Sequence, residues 1–495
     1  MQVDRGGASA GGVDSQLARG ALKLPAVLMQ AITHIAPAIG VITSLAFITS
    51  VAGITSPIAF VIGGTICLGV AVGLTQLAKH IGGAGGYFLY LSRAVGPRTG
   101  FFASWVYFLY DPLAYGMLLA WFGGILHDTL QAEYGWGPPW WVTFFVGLTI
   151  ITVLITRGVA LSGRILVILG LAEIILVLAL AVSGLVHPGS GGINLTPFNP
   201  GNSSSISGLY LGVVFTILSF SGFESVAPMA EETENPKRNL PRAIIYSVLA
   251  MIAFYIFAIW GVLIGWGTND VAGFVSSPDP FFALAHSLWG SLWVLMLLAL
   301  LNSTIGNCLA TGNASTRVFF AMGRTGVLPE RLGHVHSKFR TPTVAIGLQT
   351  VLAVLVGIGL GMWIGPTNTF GFVGITLTLG LILVYSLGNI GVFVFYRREH
   401  RGEFNLFLHA LIPLATTVAL LWVGWKSIQG LSFLSPQGYM DWIPAIVAVW
   451  IVAGIVLMII LSRNKETAWL QKAGQSVADF EVERVYVDVP HPDAQ

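Results

Sequence analysis

The sequence predicts an all-α integral membrane protein of twelve transmembrane helices, the first and sixth of them interrupted. Three observations carry this. Of the 495 residues, 55% are hydrophobic and only 9% charged, against about 25% charged in a soluble domain. Stretches free of Asp, Glu, Lys and Arg cover 24–78, 243–269, 280–316, 341–396, 404–425 and 442–462. One span takes about 20 apolar residues, so the two longest stretches hold two spans each. Finally, residues that disturb a helix fall in mid-span at two places, Pro37 with Gly40 and Ser221 with Gly222.

The spans are placed at 24–52, 55–78, 99–127, 139–157, 165–186, 206–230, 241–267, 287–315, 342–363, 370–396, 404–425 and 442–462. Lys and Arg accumulate in cytoplasmic loops. With the N-terminus inside, all of the 24 Lys and Arg except Lys426 fall on the inner side. Losing one span would reverse every later loop, so both termini are expected in the cytoplasm of a multi-pass cell-membrane protein. Residues 1–23 read as a Gly/Ser-rich tail without a cleavable signal, leaving the first span as an anchor. The mixed-charge tail 463–495 is expected to be disordered or lightly docked, and 187–205 to be an irregular outer connection. Cys67 and Cys308 lie in spans without a His/Cys cluster, so unpaired thiols and no metal or cofactor are expected.

Pro37 removes a backbone donor and Gly40 loosens the chain, which favours an open first span from Pro37 to Gly40 near the bilayer midplane. The sixth span breaks around Ser221-Gly222, with Glu224 just beyond. Irregular backbone and an ionisable group at that depth are tolerated only beside a cavity or inside protein. Spans one and six correspond in a protein of two inverted five-span repeats, and paired breaks point to a transport site at their interface. Opened helix ends offer N–H groups to anions and C=O groups to cations, which suits a zwitterionic amino acid.

Three carboxylates fall in spans: Asp111, Glu173 and Glu224. Burying an ionised one costs at least about 2.5–3.5 kcal/mol, so each needs a partner, water or a proton. Tyr107, Asp111 and Tyr115 are spaced i, i+4, i+8 and share a helix face beside Pro112. The stripe is expected to wall the cavity. Asp111 there either meets substrate or a coupled proton, or pairs with a neighbouring helix. His34, close to the first break, either titrates or is simply hydrogen-bonded.

Four segments in order carry a family resemblance: Pro37-Ala38-Ile39-Gly40; Gly82-Gly83-Ala84-Gly85-Gly86-Tyr87 followed by Arg93, Gly96 and Gly100; Gly222-Phe223-Glu224 through Pro241; and Asn313-Ala314-Ser315-Thr316-Arg317 with Arg324 to Pro329 and Thr341-Pro342. Over roughly residues 20–400 the chain resembles the amino acid–polyamine–organocation superfamily. The resemblance implies the leucine-transporter-like fold: a core over 24–396 made of repeats 24–186 and 206–396, and two peripheral helices within 404–462. It implies that the opened backbone at Pro37, Ala38, Ile39 and Gly40, and at Ser219, Phe220, Ser221 and Gly222, holds a substrate's carboxylate and amine. Leu218 sits near where relatives place a gating aromatic residue, and its aliphatic side chain departs from that pattern. Glu224 falls at the family's recurrent acidic position, read as proton coupling or gating, with capping of freed N–H groups as the alternative.

Some proton-coupled relatives carry a span-five lysine; Gly170 stands there, so that route is absent, and Glu173 is expected to pack against another helix. Ser303 and Thr304 match hydroxyls that complete a sodium site in sodium-coupled members, although such hydroxyls usually bond to backbone or neighbouring helices. The glycines of 82–86 lack a Walker lysine and a strand–helix setting, so a tight turn is expected rather than a phosphate cradle. Without a nucleotide motif, a His-rich metal set or a nucleophile elbow, direct ATP coupling and enzymatic activity are not expected. The expected partners are a small-molecule amino acid or amine, protons and the lipid bilayer, and no nucleic acid. A channel and a non-transporting sensor are the competing readings.

Overall fold

The computed structural model describes residues 17–277, 279–431 and 438–463; the expectations for 1–16 and 464–495 lie outside these. Among the described residues the chain is helical, with only two isolated bridges, Leu22 with Thr233 and Ser190 with Gly267. Eleven helical stretches among the described residues are long and apolar enough to cross a membrane. The first of them, Leu24–Ala78, is 55 residues long and turns at Gly53, where φ is 65°. It therefore covers the two spans expected at 24–52 and 55–78.

The first expected span is built from α1 (Leu24–Ile35), α2 (Pro37–Ile39), a π-helical turn (Gly40–Ser44) and α3 (Leu45–Ala52). The second is α4 (Ser56–Ala78). After α5 (Tyr87–Ala94), the third span comes in two pieces, α6 (Pro97–Tyr107) and α7 (Asp111–Tyr134). Next come α8 (Trp140–Arg157), α9 (Val159–Val186), α10 (Ile206–Phe220) and a 3₁₀ stretch at Phe223–Met229, then α11 (Pro236–Trp266) and the short α12 (Val271–Ser276). The remaining helices are α13 (Pro280–Trp289), α14 (Val294–Arg324), α15 (Thr343–Ile364), α16 (Pro366–Arg398), α17 (Ile412–Gln429) and α18 (Ile443–Arg463).

Burial sorts these helices into layers. In an 18-residue apolar window of the stretch holding α7, 83% of residues are buried, and in that of α16 78%, while in the last stretch only 17% are. Ile168, Ile175, Leu355, Val418 and Val449 point outward on the outer helices, as a bilayer requires of a protein without water around its middle. α1 is enclosed by α9, α11 and α14, so the first break lies in protein.

At the end carrying the basic loops, three of the four sequence segments above meet. Arg317 and Glu232, both fully buried, pair through Nε–Oε2 at 2.8 Å and Nη2–Oε1 at 3.0 Å. Arg324 binds Glu231, whose Oε1 also accepts the Ala84 N–H of the glycine-rich turn at 3.1 Å. Leu22 exchanges backbone hydrogen bonds with Glu232 and Glu234, tying the segment before α1 to the loop before α11.

Candidate functional site

Each of three spans is broken, and the two breaks with a proline in sequence reach fall just before it. Ala36, φ 58° and ψ 74°, ends α1 by donating to Ile32 O, and Pro37 opens α2. The opening was expected from Pro37 through Gly40; instead the chain is helical again there, with Gly40 at φ −59°. A proline disfavours helix at the residue before it and is well placed in the first turn of the next one, which sets the break at Ala36. In the third span Tyr110 leaves helical geometry at φ −110°, ψ −108°, and α7 starts at Asp111 with Pro112 in its first turn, where a proline is well placed. In the sixth span Ser221 is extended and Gly222 takes φ 121°, a conformation that favours glycine.

The two expected breaks touch. A Cβ on Gly222 would lie 2.8 Å from the His34 carbonyl carbon and 2.9 Å from its ring. Gly40 serves by its size: an added Cβ would sit 2.2 Å from the Tyr255 hydroxyl. That hydroxyl donates to Ser219 O at 2.9 Å and reaches Ile35 O at 3.4 Å, one carbonyl from each break.

The other groups freed by the first break are taken by side chains. Ala38 N–H donates to Glu173 Oε2 at 3.3 Å and Ile39 N–H to Ser303 Oγ at 3.4 Å. Gly170 lets α9 come this close, since a Cβ there would meet Thr33 and Met29 at 2.8 and 2.9 Å. Glu173, expected only to pack on another helix, is thus an acceptor for the first break. On α14, Ser303, Asn307 and Thr311 form one i, i+4, i+8 stripe towards α1. Asn307 Nδ2 donates to His34 O, and Thr311 Oγ1 lies 3.1 Å from His34 Nε2. Thr304 instead donates to its own backbone at Leu300.

Asp111 pairs within its own span and across to the first. Its Oδ2 accepts from Tyr107 OH at 2.5 Å and its Oδ1 is 3.1 Å from His34 Nε2. Tyr115 does not continue the stripe. Tyr110 and Ala114 reach the cavity wall, while Tyr115, one turn beyond Asp111 in α7, is buried away from it. Tyr110 stacks on His34 with the rings 5° from parallel. Glu224 Oε2 accepts from Gly222 N–H at 3.1 Å and from Tyr385 OH at 2.7 Å.

These groups border two small cavities. The first, about 50 Å³, is lined by Ile35, Ala36, Ile39, Gly40, Leu218, Ser219 and Ser221 from the breaks, with His34, Ser44, Tyr110 and Asn307 among the rest. That is room for about three waters. Phe220 is not on this wall; it packs on Phe60 and Tyr255. The second, about 20 Å³, is lined by Asp111, Glu224, Tyr107 and Ser225 and by Gly85 and Gly86 of the glycine-rich turn. Sequence reasoning missed Tyr110, Asn307, Thr311, Tyr255 and Tyr385. The spacing of Asn307 and Thr311 from Ser303 was the available signal for two of them.

Long apolar helices packed around a buried polar centre make this a multi-pass membrane protein. The amino acid permease family matches residues 22–470, nearly the whole chain, and the chain belongs to that family, within the superfamily its motifs resemble. The chain is 26% identical to the serine/threonine exchanger SteT of Bacillus subtilis, over 73% of this chain and 80% of that one. It is 27% identical to the low-affinity putrescine importer PlaP of Escherichia coli (75% and 82% covered). The branched-chain amino acid permease BcaP of Bacillus subtilis is 26% identical, with 86% and 89% covered.

Proposed function

We propose that this protein is a secondary transporter that moves an amino acid or a related amine across the cytoplasmic membrane by alternating access. The observation that carries the proposal is the contact of two interrupted helices, Gly222 against His34, beside a buried cavity that both line. A helix broken in mid-membrane leaves backbone groups to satisfy, and placing two such breaks face to face is useful where a polar solute must be held. Relatives that carry serine or threonine, branched-chain amino acids and putrescine by name support amino acids and amines as the substrate class.

In this reading residues 24–396 form the transporting core, as inverted repeats 24–186 and 206–396, with 404–462 peripheral and both termini cytoplasmic. Ile39, Gly40, Leu218, Ser219 and Ser221 contact substrate, and the cavity widens to admit it. Transport is proton-linked or by exchange, with Glu224 as the coupling or gating carboxylate: it ties the sixth-span break to Tyr385 of α16. Ser303 is engaged with the first break and Thr304 with the backbone of its own helix, which favours structural roles for both over one in binding sodium. Uptake of radiolabelled amino acids and polyamines into proteoliposomes, with pH and sodium varied, tests the proposal. Saturable uptake with counterflow is expected; a non-saturable flux indicates a channel, and none across the panel a sensor.

A further inference from the structure

The end of α4 meets the link after α16 through residues with no part in the site above. His80 lies two residues beyond the end of α4, while His400 precedes a 3₁₀ turn, Arg401–Glu403, closed by Glu403 N–H donating to His400 O at 3.0 Å. Glu403 divides its oxygens between the two imidazoles: Oε2 lies 3.5 Å from His80 Nε2 and Oε1 lies 3.4 Å from His400 Nδ1. The donor atoms of all three residues lie within 4.8 Å of one another.

These separations have a chemical meaning. Zinc takes His nitrogen and carboxylate oxygen at about 2.0–2.2 Å in a tetrahedron, and three donor atoms within 4.8 Å of one another draw in to that shell by rotation of their side chains. Two imidazoles and a carboxylate fill three corners, and the exposure of Glu403 (61%) leaves the fourth open to water. The rings of His80 and His400 are 4.1 Å apart, and Phe395 and Tyr396 pack against both. Two cationic rings at that distance repel, whereas two neutral ones ligating one ion do not.

Burial first, and then His400, lower the His80 pKa from its ordinary 6.5; Glu403 opposes this and Lys237 and Lys79 add to it. Lys79, held by Gln76 Oε1 at 3.0 Å, and Lys237 are the cations that oppose a metal here.

We propose that His80, His400 and Glu403 form a site for one divalent transition-metal ion, Zn²⁺ being the ion whose shell they fit, and that the ion fastens the end of α4 to the turn after α16. His80 lies 320 positions before His400 in sequence, which is why no metal was expected from it. The test uses the full-length protein in detergent, stripped with EDTA and titrated with Co²⁺ by visible absorption and with Zn²⁺ by calorimetry. One equivalent is expected, with a tetrahedral cobalt spectrum that zinc abolishes and a higher unfolding midpoint in zinc. His400→Ala and Glu403→Gln, both at accessible positions, should each weaken binding by more than about 10-fold, as should His80→Ala. Binding should also weaken as pH falls through the imidazole range. A parent protein that binds no ion overturns the proposal, and so does equal binding by the parent and His400→Ala, which would place the ion elsewhere.

Discussion

Gly222→Ala strikes the point where the two interrupted helices touch, and its cost follows from geometry. At φ 121° a residue with a Cβ sits in a sparsely populated region at about 1–3 kcal/mol. The new methyl also overlaps the His34 carbonyl carbon at 2.8 Å, a backbone atom that cannot swing aside, for about 1–3 kcal/mol more. The sum is about 2–6 kcal/mol, or about 30-fold at its lower bound, at 1.4 kcal/mol per decade. Gly40→Ala is different in kind, because Gly40 is already helical and its obstacle is the far end of one side chain, Tyr255. Initial uptake rates and substrate affinity in proteoliposomes, normalised to incorporated protein, should fall by at least that factor in Gly222→Ala. Gly40→Ala should also fall in the parent background, yet add little to Tyr255→Leu, since contacting pairs couple by about 0.5–3 kcal/mol. Near-normal uptake by Gly222→Ala refutes the reasoning, and so does full additivity of Gly40→Ala with Tyr255→Leu.

Three further outcomes are expected. Asp111→Asn keeps the shape beside Tyr107 and His34 but removes the charge, so it should change the ratio of affinities for cationic and neutral amino acids; equal ratios in parent and variant make Asp111 purely structural. Glu224→Gln can still accept from Gly222 and Tyr385 but cannot titrate, so uptake into sodium-free vesicles under an inward proton gradient should lose its pH dependence. An unchanged profile, or strict sodium dependence in the parent, contradicts the coupling proposed. Glu173→Leu strips the acceptor from the Ala38 N–H, a buried loss of about 1–3 kcal/mol, and should lower the thermal midpoint in detergent while Glu173→Gln recovers most of it; equal midpoints for parent and leucine variant dismiss the capping role.

The long apolar helices and the two mid-span breaks were legible because both are written in local composition. Charge-free runs of 20 or more residues have few alternatives, and glycine or proline in mid-span has a direct backbone effect. What composition left ambiguous was which side of Pro37 the chain opens on, and that follows from the preference of proline for a helix's first turn. Tyr115, one turn beyond Asp111 in the same helix, is absent from the cavity wall, because spacing along a helix tells which residues share a face but not what that face packs against. Glu173, Asn307 and Tyr255 act on backbone groups more than 130 residues away in sequence. Such contacts depend on how helices pack, and a single sequence carries no record of that.

The buried pair of Arg317 and Glu232 has a consequence for how the basic end of the molecule can part. While both ions are dry, each is compensated mainly by the other, and removing one partner from such a pair costs about 3–5 kcal/mol. Once water reaches them the same pair is worth about 1 kcal/mol or less. Resistance is therefore concentrated in the first ångströms of separation and nearly vanishes afterwards, giving a threshold rather than a spring. Arg324 with Glu231, where the arginine is 35% exposed, lacks this property, because dissolved salt screens it while leaving the inner pair almost untouched. Raising ionic strength should thus loosen the rim of this end without shifting the point at which it gives way.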